Sequence, residues 1–147
     1  MRRWRTESEE ETLALGSELA RELAPDGVLL LSGDLGAGKT VLARGLGRAL
    51  GIPTEEIQSP TYTLIREHRS AGGELVHVDL YRLEPDEVGR LELEERLAGP
   101  GIKVVEWAER LPFPVPGALR LRLERSPGDA RAIYEAPDDT PPPVPPG

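Results

Sequence analysis

Cysteine is absent from this 147-residue chain, which removes disulfides, thiolate metal ligands and thiol nucleophiles together. Asparagine is absent too, so the N-K-x-D pattern that reads guanine cannot occur in it. No apolar run reaches the roughly 18 residues that a membrane-spanning helix needs. The N-terminal MRRWRTESEEET leads into acidic residues rather than the apolar core of a signal peptide. A soluble cytoplasmic protein is therefore expected, with no membrane partner. Lysine is scarce: Lys39 and Lys103 stand against sixteen arginines. The formal charge of −8, from 26 acidic and 18 basic residues, argues against a surface that holds nucleic acid by phosphate neutralisation alone. Net charge leaves a local basic patch open.

The length suits one domain with a real core, expected over residues 1–136. The last eleven residues, PDDTPPPVPPG, carry six prolines and bury little, so residues 137–147 are expected to be a disordered tail. Ser8-Glu9-Glu10-Glu11 reads as a capping box, and Leu13, Leu19, Ala20 and Leu23 recur at helical spacing until Pro25-Asp26-Gly27. Val28 to Leu31 suits a strand buried on both faces. Lys39 to Leu50 carries Leu42, Ala43, Leu46, Ala49 and Leu50 on one helical face and stops at Gly51-Ile52-Pro53. Ser59–His68 and Glu74–Leu80 flank Ser70-Ala71-Gly72-Gly73 like an antiparallel hairpin. A helix is expected over Asp86–Leu97 and a strand over Ile102–Trp107. A second hairpin is expected from Ala118–Glu124 and Arg131–Ala136.

Between the first strand and the second helix lies GDLGAGKT, residues Gly33 to Thr40. It fits G-x-x-x-x-G-K-[ST], the phosphate-binding loop. Glycines permit close approach of backbone N–H groups to an anion, and the following helix N-terminus adds a favourable dipole. On this composition the pattern arises by chance roughly 0.002 times over the whole chain, so a plain glycine-rich turn loses heavily. Lysine at position 39, in a chain that otherwise favours arginine, fits a site needing a slim ammonium rather than a planar fork. The cradle is read as Gly33, Gly36, Ala37, Gly38, Lys39, Thr40 and Val41, with the Thr40 hydroxyl placed for Mg²⁺.

Such a site needs an acid from a second strand for the magnesium shell or the attacking water. Asp79 and Glu106 each end an apolar strand, where ligands of open α/β sheets bind. Alternation puts His77, Asp79 and Tyr81 on one strand face and Val76, Val78 and Leu80 on the other. His77 is read as structural. In Ser59-Pro60-Thr61-Tyr62-Thr63, a hydroxyl such as that of Thr61 would sense a terminal phosphate through magnesium. The same residues equally suit an ordinary strand start.

Taken together, GDLGAGKT, SPTYTL, HVDLYRL and VVEW resemble the bacterial TsaE family over about residues 8 to 136. The second and third of these motifs are much more specific than the loop. The resemblance implies an ATPase of small P-loop α/β fold, with a mixed sheet of parallel core and antiparallel hairpin strands and helices on both faces. It implies ATP and Mg²⁺ as cofactors, TsaB and TsaD proteins as partners, and tRNA reached indirectly through their complex, where N6-threonylcarbamoyladenosine is made. ATP turnover would reset that complex between rounds. By that likeness Thr40 and Glu106 hold Mg²⁺, Asp79 acts in hydrolysis or its positioning, and Trp107 lies close to the nucleotide. The family's N-terminal segment near the base points here to Glu9 or Thr12. The family often has Gly-Arg before its final strand; this chain reads Gly128-Asp129-Ala130-Arg131, which leaves Arg131 to supply that arginine.

Two other readings share these residues. A small-molecule kinase would have the same loop and size but needs a substrate pocket under an arginine-rich lid. A nucleotide-gated assembly module would bind ATP and dock on partners with negligible turnover of its own.

Overall fold

The computed structural model describes residues 1–34, 36–58, 65–81 and 90–136. Among the described residues the chain forms a seven-stranded sheet with three α-helices. In chain order the strands are β1 (Arg3–Thr6), β2 (Val28–Gly33), β3 (Ile65–Ser70), β4 (Gly73–Asp79), β5 (Ile102–Glu106), β6 (Leu119–Arg125) and β7 (Arg131–Glu135). The helices are α1 (Glu9–Leu23), α2 (Lys39–Ala49) and α3 (Arg90–Ala98). The spatial order is β1-β7-β6-β2-β5-β4-β3. β6, β2, β5 and β4 run parallel to their neighbours, whereas β4–β3, β6–β7 and β7–β1 are antiparallel. This is the α/β fold with parallel core and antiparallel hairpins that the sequence implies.

Local chemistry accounts for the first helix. The Ser8 hydroxyl accepts from the Glu11 N–H at 3.1 Å, while the Glu11 carboxylate reaches back to the Glu7 N–H at 3.2 Å. Three acids in the first turn complement the helix dipole. Both expected hairpins form: β4 and β6 have the expected seven residues, each shifted by one, β7 ends one residue early and β3 runs on to Ser70. Residues 59–64 of the first expected strand and 86–89 of the third expected helix lie outside the described residues. β1 is an element the sequence reading did not contain. Its signal is a four-residue alternation: Trp4 packs against the core and Thr6 is buried, while Arg3 and Arg5 are exposed. So short a run escapes periodicity, and tertiary pairing with β7 makes it a strand.

An apolar cluster covers each sheet face. Leu29, Leu31, Val104, Leu121, Leu123 and Ile133 pack with α1 and α2. Leu30, Val76, Val78 and Val105 pack with Leu93 and Leu97 of α3 and with Phe113. Helices therefore lie on both faces, and each strand's period-two alternation sorts its residues between two dry layers.

The crossing of α1 over α2 depends on missing side chains. A Cβ on Gly45 would lie 2.2 Å from the Leu13 carbonyl oxygen, and one on Gly16 would lie 2.4 Å from that of Leu42. The two backbones touch, and the Ser17 hydroxyl donates to the Gly45 carbonyl at 2.9 Å. In an isolated helix Gly→Ala stabilises by about 1 kcal/mol. Here the sign reverses: Gly45→Ala is expected to lower unfolding stability by about 2 kcal/mol through overpacking. A urea melt measures it, and a raised midpoint would contradict the close crossing.

Candidate functional site

The loop after β2 opens with a conformation closed to other residues. Gly33 has φ +135°, and a Cβ there would stand 2.2 Å from the Leu123 carbonyl oxygen on neighbouring β6. The chain then turns back so that α2 begins at Lys39, preceded by Gly38 at φ 101°. Lys39 is buried, and its Nζ donates to the carbonyls of Gly33 at 2.6 Å and Asp34 at 2.8 Å. One ammonium thus closes the loop onto itself. The Trp107 ring centroid lies 4.0 Å from the same nitrogen, a cation–π contact. Burial lowers the Lys39 pKa from the ordinary lysine value, opposed by the negative charges of Glu109, Glu106, Asp34 and Asp79 in that order.

The neighbouring strands deliver the acids. β4 and β5 end together, and Asp79 and Glu106 are register partners. Both are buried. The Thr40 hydroxyl donates to the Glu106 carboxylate, with its oxygen 2.8 Å and 3.0 Å from the two carboxylate oxygens. His77 Nε2 stands 2.5 Å from Oε2 of the same group. Since a carboxylate only accepts, Nε2–H is the donor, and the imidazole fixes the carboxylate towards Thr40. His77, read from sequence as structural, is therefore a support for Glu106. Its position on the Asp79 face was the available signal. Asp79 accepts from the Tyr81 N–H at 2.9 Å.

A cavity of about 290 Å³ joins these groups, lined by Gly36, Gly38, Lys39, Thr40, Val41, Asp79, Tyr81, Glu106, Trp107 and Arg131. Most residues expected at the site thus come together. Gly33 acts at the loop's base, its N–H facing Glu109 Oε2 at 3.4 Å. Ala37 is fully buried in the core, with its N–H donating to the Asp34 carbonyl at 3.1 Å. Glu9 lies exposed in the first turn of α1. Thr12 is buried, its hydroxyl 2.7 Å from that of Thr6 and 3.3 Å from the Ser8 carbonyl, so neither lines the cavity. Thr61 and the rest of SPTYTL lie outside the described residues.

Glu109, on the 3-10 turn Ala108–Arg110, had no sequence signal. Tyr81, whose only signal was its place on the Asp79 face, packs on Trp107 with ring centroids 4.9 Å apart. Trp107 itself has φ 60°, ψ 43°, a left-handed conformation rare for a bulky residue. In that conformation the indole lies over Lys39, and the surrounding packing must hold the strain. The chain's second lysine, Lys103, is also buried, its Nζ donating to the carbonyls of Asp26 and Gly99. Both lysines thus serve where a compact ammonium must meet converging carbonyls. Among the described residues no helix is long and apolar enough to cross a membrane.

The family model described as "Threonylcarbamoyl adenosine biosynthesis protein TsaE" matches residues 6–133. A tRNA threonylcarbamoyladenosine biosynthesis protein TsaE of Nostoc sp. is 53% identical over 108 residues, covering 71% of this chain and 66% of that protein. The protein of the same description from Bacillus subtilis is 41% identical over 132 residues, covering 89% and 82%. The chain thus spans just under two thirds of the Nostoc relative. The crystal structure of Bacillus subtilis YdiB superposes with a TM-score of 0.70 at 36% identity, covering 91% of this chain and 83% of that one.

The contact between Lys39 and Trp107 can be read by fluorescence. In a Trp4→Phe background Trp107 is the sole tryptophan, and Lys39→Met removes the cation from its ring face. The emission maximum is expected to shift. An unchanged spectrum in a folded variant would mean that ammonium and indole do not meet in solution.

Proposed function

The chain belongs to the TsaE family, and from that premise we propose that it is an Mg²⁺-dependent ATP-binding and ATP-hydrolysing component of tRNA N6-threonylcarbamoyladenosine biosynthesis. It works in the cytoplasm beside TsaB- and TsaD-type proteins and reaches tRNA through them. The observation that carries the reading is the meeting of Lys39, Thr40 and Glu106 at one cavity, where a phosphate loop, a hydroxyl and a strand-end acid converge.

The residues present fit ATP and magnesium. Mg²⁺ is held by one or two protein oxygens together with substrate phosphates rather than by an all-protein cage. Thr40 Oγ1 and the Glu106 carboxylate, with His77 behind it, supply such a partial set. The bound metal would neutralise charge developing on the phosphates. Lys39 offers an ammonium already desolvated, so its attraction for an anion is stronger than in water. Asp79, beside Glu106 in register, would orient water at the same mouth. The indole of Trp107 and the ring of Tyr81 wall the cavity. Residues 1–136 would form one P-loop ATPase domain.

The acidic balance of the chain supports indirect contact with tRNA, since phosphate neutralisation needs clustered cations. Two variants test the assignment by calorimetry. Lys39→Ala should lose ATP affinity by about 100-fold or more, the scale of two or more charge-assisted contacts. Retained affinity would remove the cradle assignment. Glu106→Ala should weaken Mg²⁺-dependent ATP binding more than binding in EDTA, and equal losses would make the acid structural.

A further inference from the structure

Two arginines approach the glycine loop from the sheet side. Arg125 ends β6, Arg131 begins β7, and the register pairs them. Leu123 and Ile133, each two residues away, are fully buried under α1 and α2. Alternation therefore puts Arg125 and Arg131 on that same sheet face, where the loop lies. A Cβ on Gly36 would stand 3.6 Å from Arg125 Nη1 and 3.9 Å from its Cζ, and one on Gly38 would stand 3.7 Å from Arg131 Nε.

The two differ in what holds them. Arg131 Nη1 donates to the carbonyls of Ala130 at 2.8 Å and Gly128 at 3.2 Å, so its guanidinium is fixed as part of the wall. Arg125 is exposed and makes no hydrogen bond or ion pair among the described residues. By contrast Arg2, Arg48 and Arg96 are each committed to an acid. In a chain of net charge −8, an unpaired guanidinium rests against the middle of an anion-binding loop.

We propose that Arg125, which stands beside Gly36 at the rim and outside the cavity lining, is a further ligand-binding residue of this site, reaching in to the terminal phosphate of a nucleoside triphosphate seated in the loop. The inference rests on the ATP reading above. Lys39, which in such loops reaches the terminal phosphates, is drawn to Gly33 and Asp34 at the loop's start. In chain order Gly36, with Arg125, comes nearer that start than Gly38, with Arg131. A guanidinium fork can take two oxygens of one phosphate, and charge on the outermost phosphate is what separates ATP from ADP. Arg125 thus sets triphosphate preference, while Arg131 closes the helix end of the loop.

Calorimetry on the full chain with Mg²⁺ tests this, using the β,γ-methylene analogue of ATP and, separately, ADP. Arg125→Ala is expected to weaken the triphosphate analogue by roughly tenfold, the scale of one charge-assisted hydrogen bond. ADP affinity should change by less than about twofold, and Arg125→Lys should recover part of the loss. Circular dichroism melts check that the variants fold as the wild type does. Unaltered affinity for both nucleotides, or equal losses for both, overturns the inference while leaving the ATP reading intact. A wild-type chain that binds neither nucleotide overturns the ATP reading, and this inference with it.

Discussion

The site depends on one ammonium being buried at the mouth of β2. Lys39 gives up water for the carbonyls of Gly33 and Asp34 and the face of Trp107, and burial works against its charge. That cost is tolerable because carbonyl dipoles and four nearby carboxylates favour the cation. Without the ammonium, two carbonyls of a tight loop would converge with nothing between them. On the ATP reading proposed above, the group that closes the loop would also meet an incoming phosphate, so stability and ligand affinity would share one atom.

The sheet then decides what stands opposite. Parallel strands end at the same edge, and their register brings Asp79 and Glu106 side by side next to the loop. Glu106 is aimed by His77 from one side and Thr40 from the other. A buried carboxylate with both oxygens engaged has little freedom to turn away. Two dry layers, one on each sheet face, hold the strands that set these positions. The close contact of Gly16 with Gly45 lets α1 brace α2, which carries Lys39 and Thr40.

Much of this was legible in the chain's order of residues. The loop motif, the capping box at Ser8, the apolar strand of β2 and the acids ending β4 and β5 are local patterns, each readable within about ten residues. β1 was not legible, because four residues cannot establish a period and its pairing partner β7 is more than a hundred residues away in the chain. The support of Glu106 by His77 was half legible: alternation gave the face, but only the pairing of β4 with β5 gave the partner. Thr12 shows the reverse. The family likeness points to it near the base, yet its hydroxyl is spent on Thr6 and Ser8.

What the sequence by itself determined is the local loop: a glycine-rich turn with lysine and threonine at fixed spacing, flanked by a strand and a helix, is specified by neighbours in the chain. What only the tertiary structure decided is which distant groups face that loop. Glu109, Tyr81, His77 and Arg125 come from three separate stretches far along the chain, and their meeting depends on strand order, register and the strained turn at Trp107. Backbone sterics and side-chain period act over a few residues, so they are written locally. Juxtaposition across a sheet is set by which strands pair, and that follows from burial summed over the whole fold.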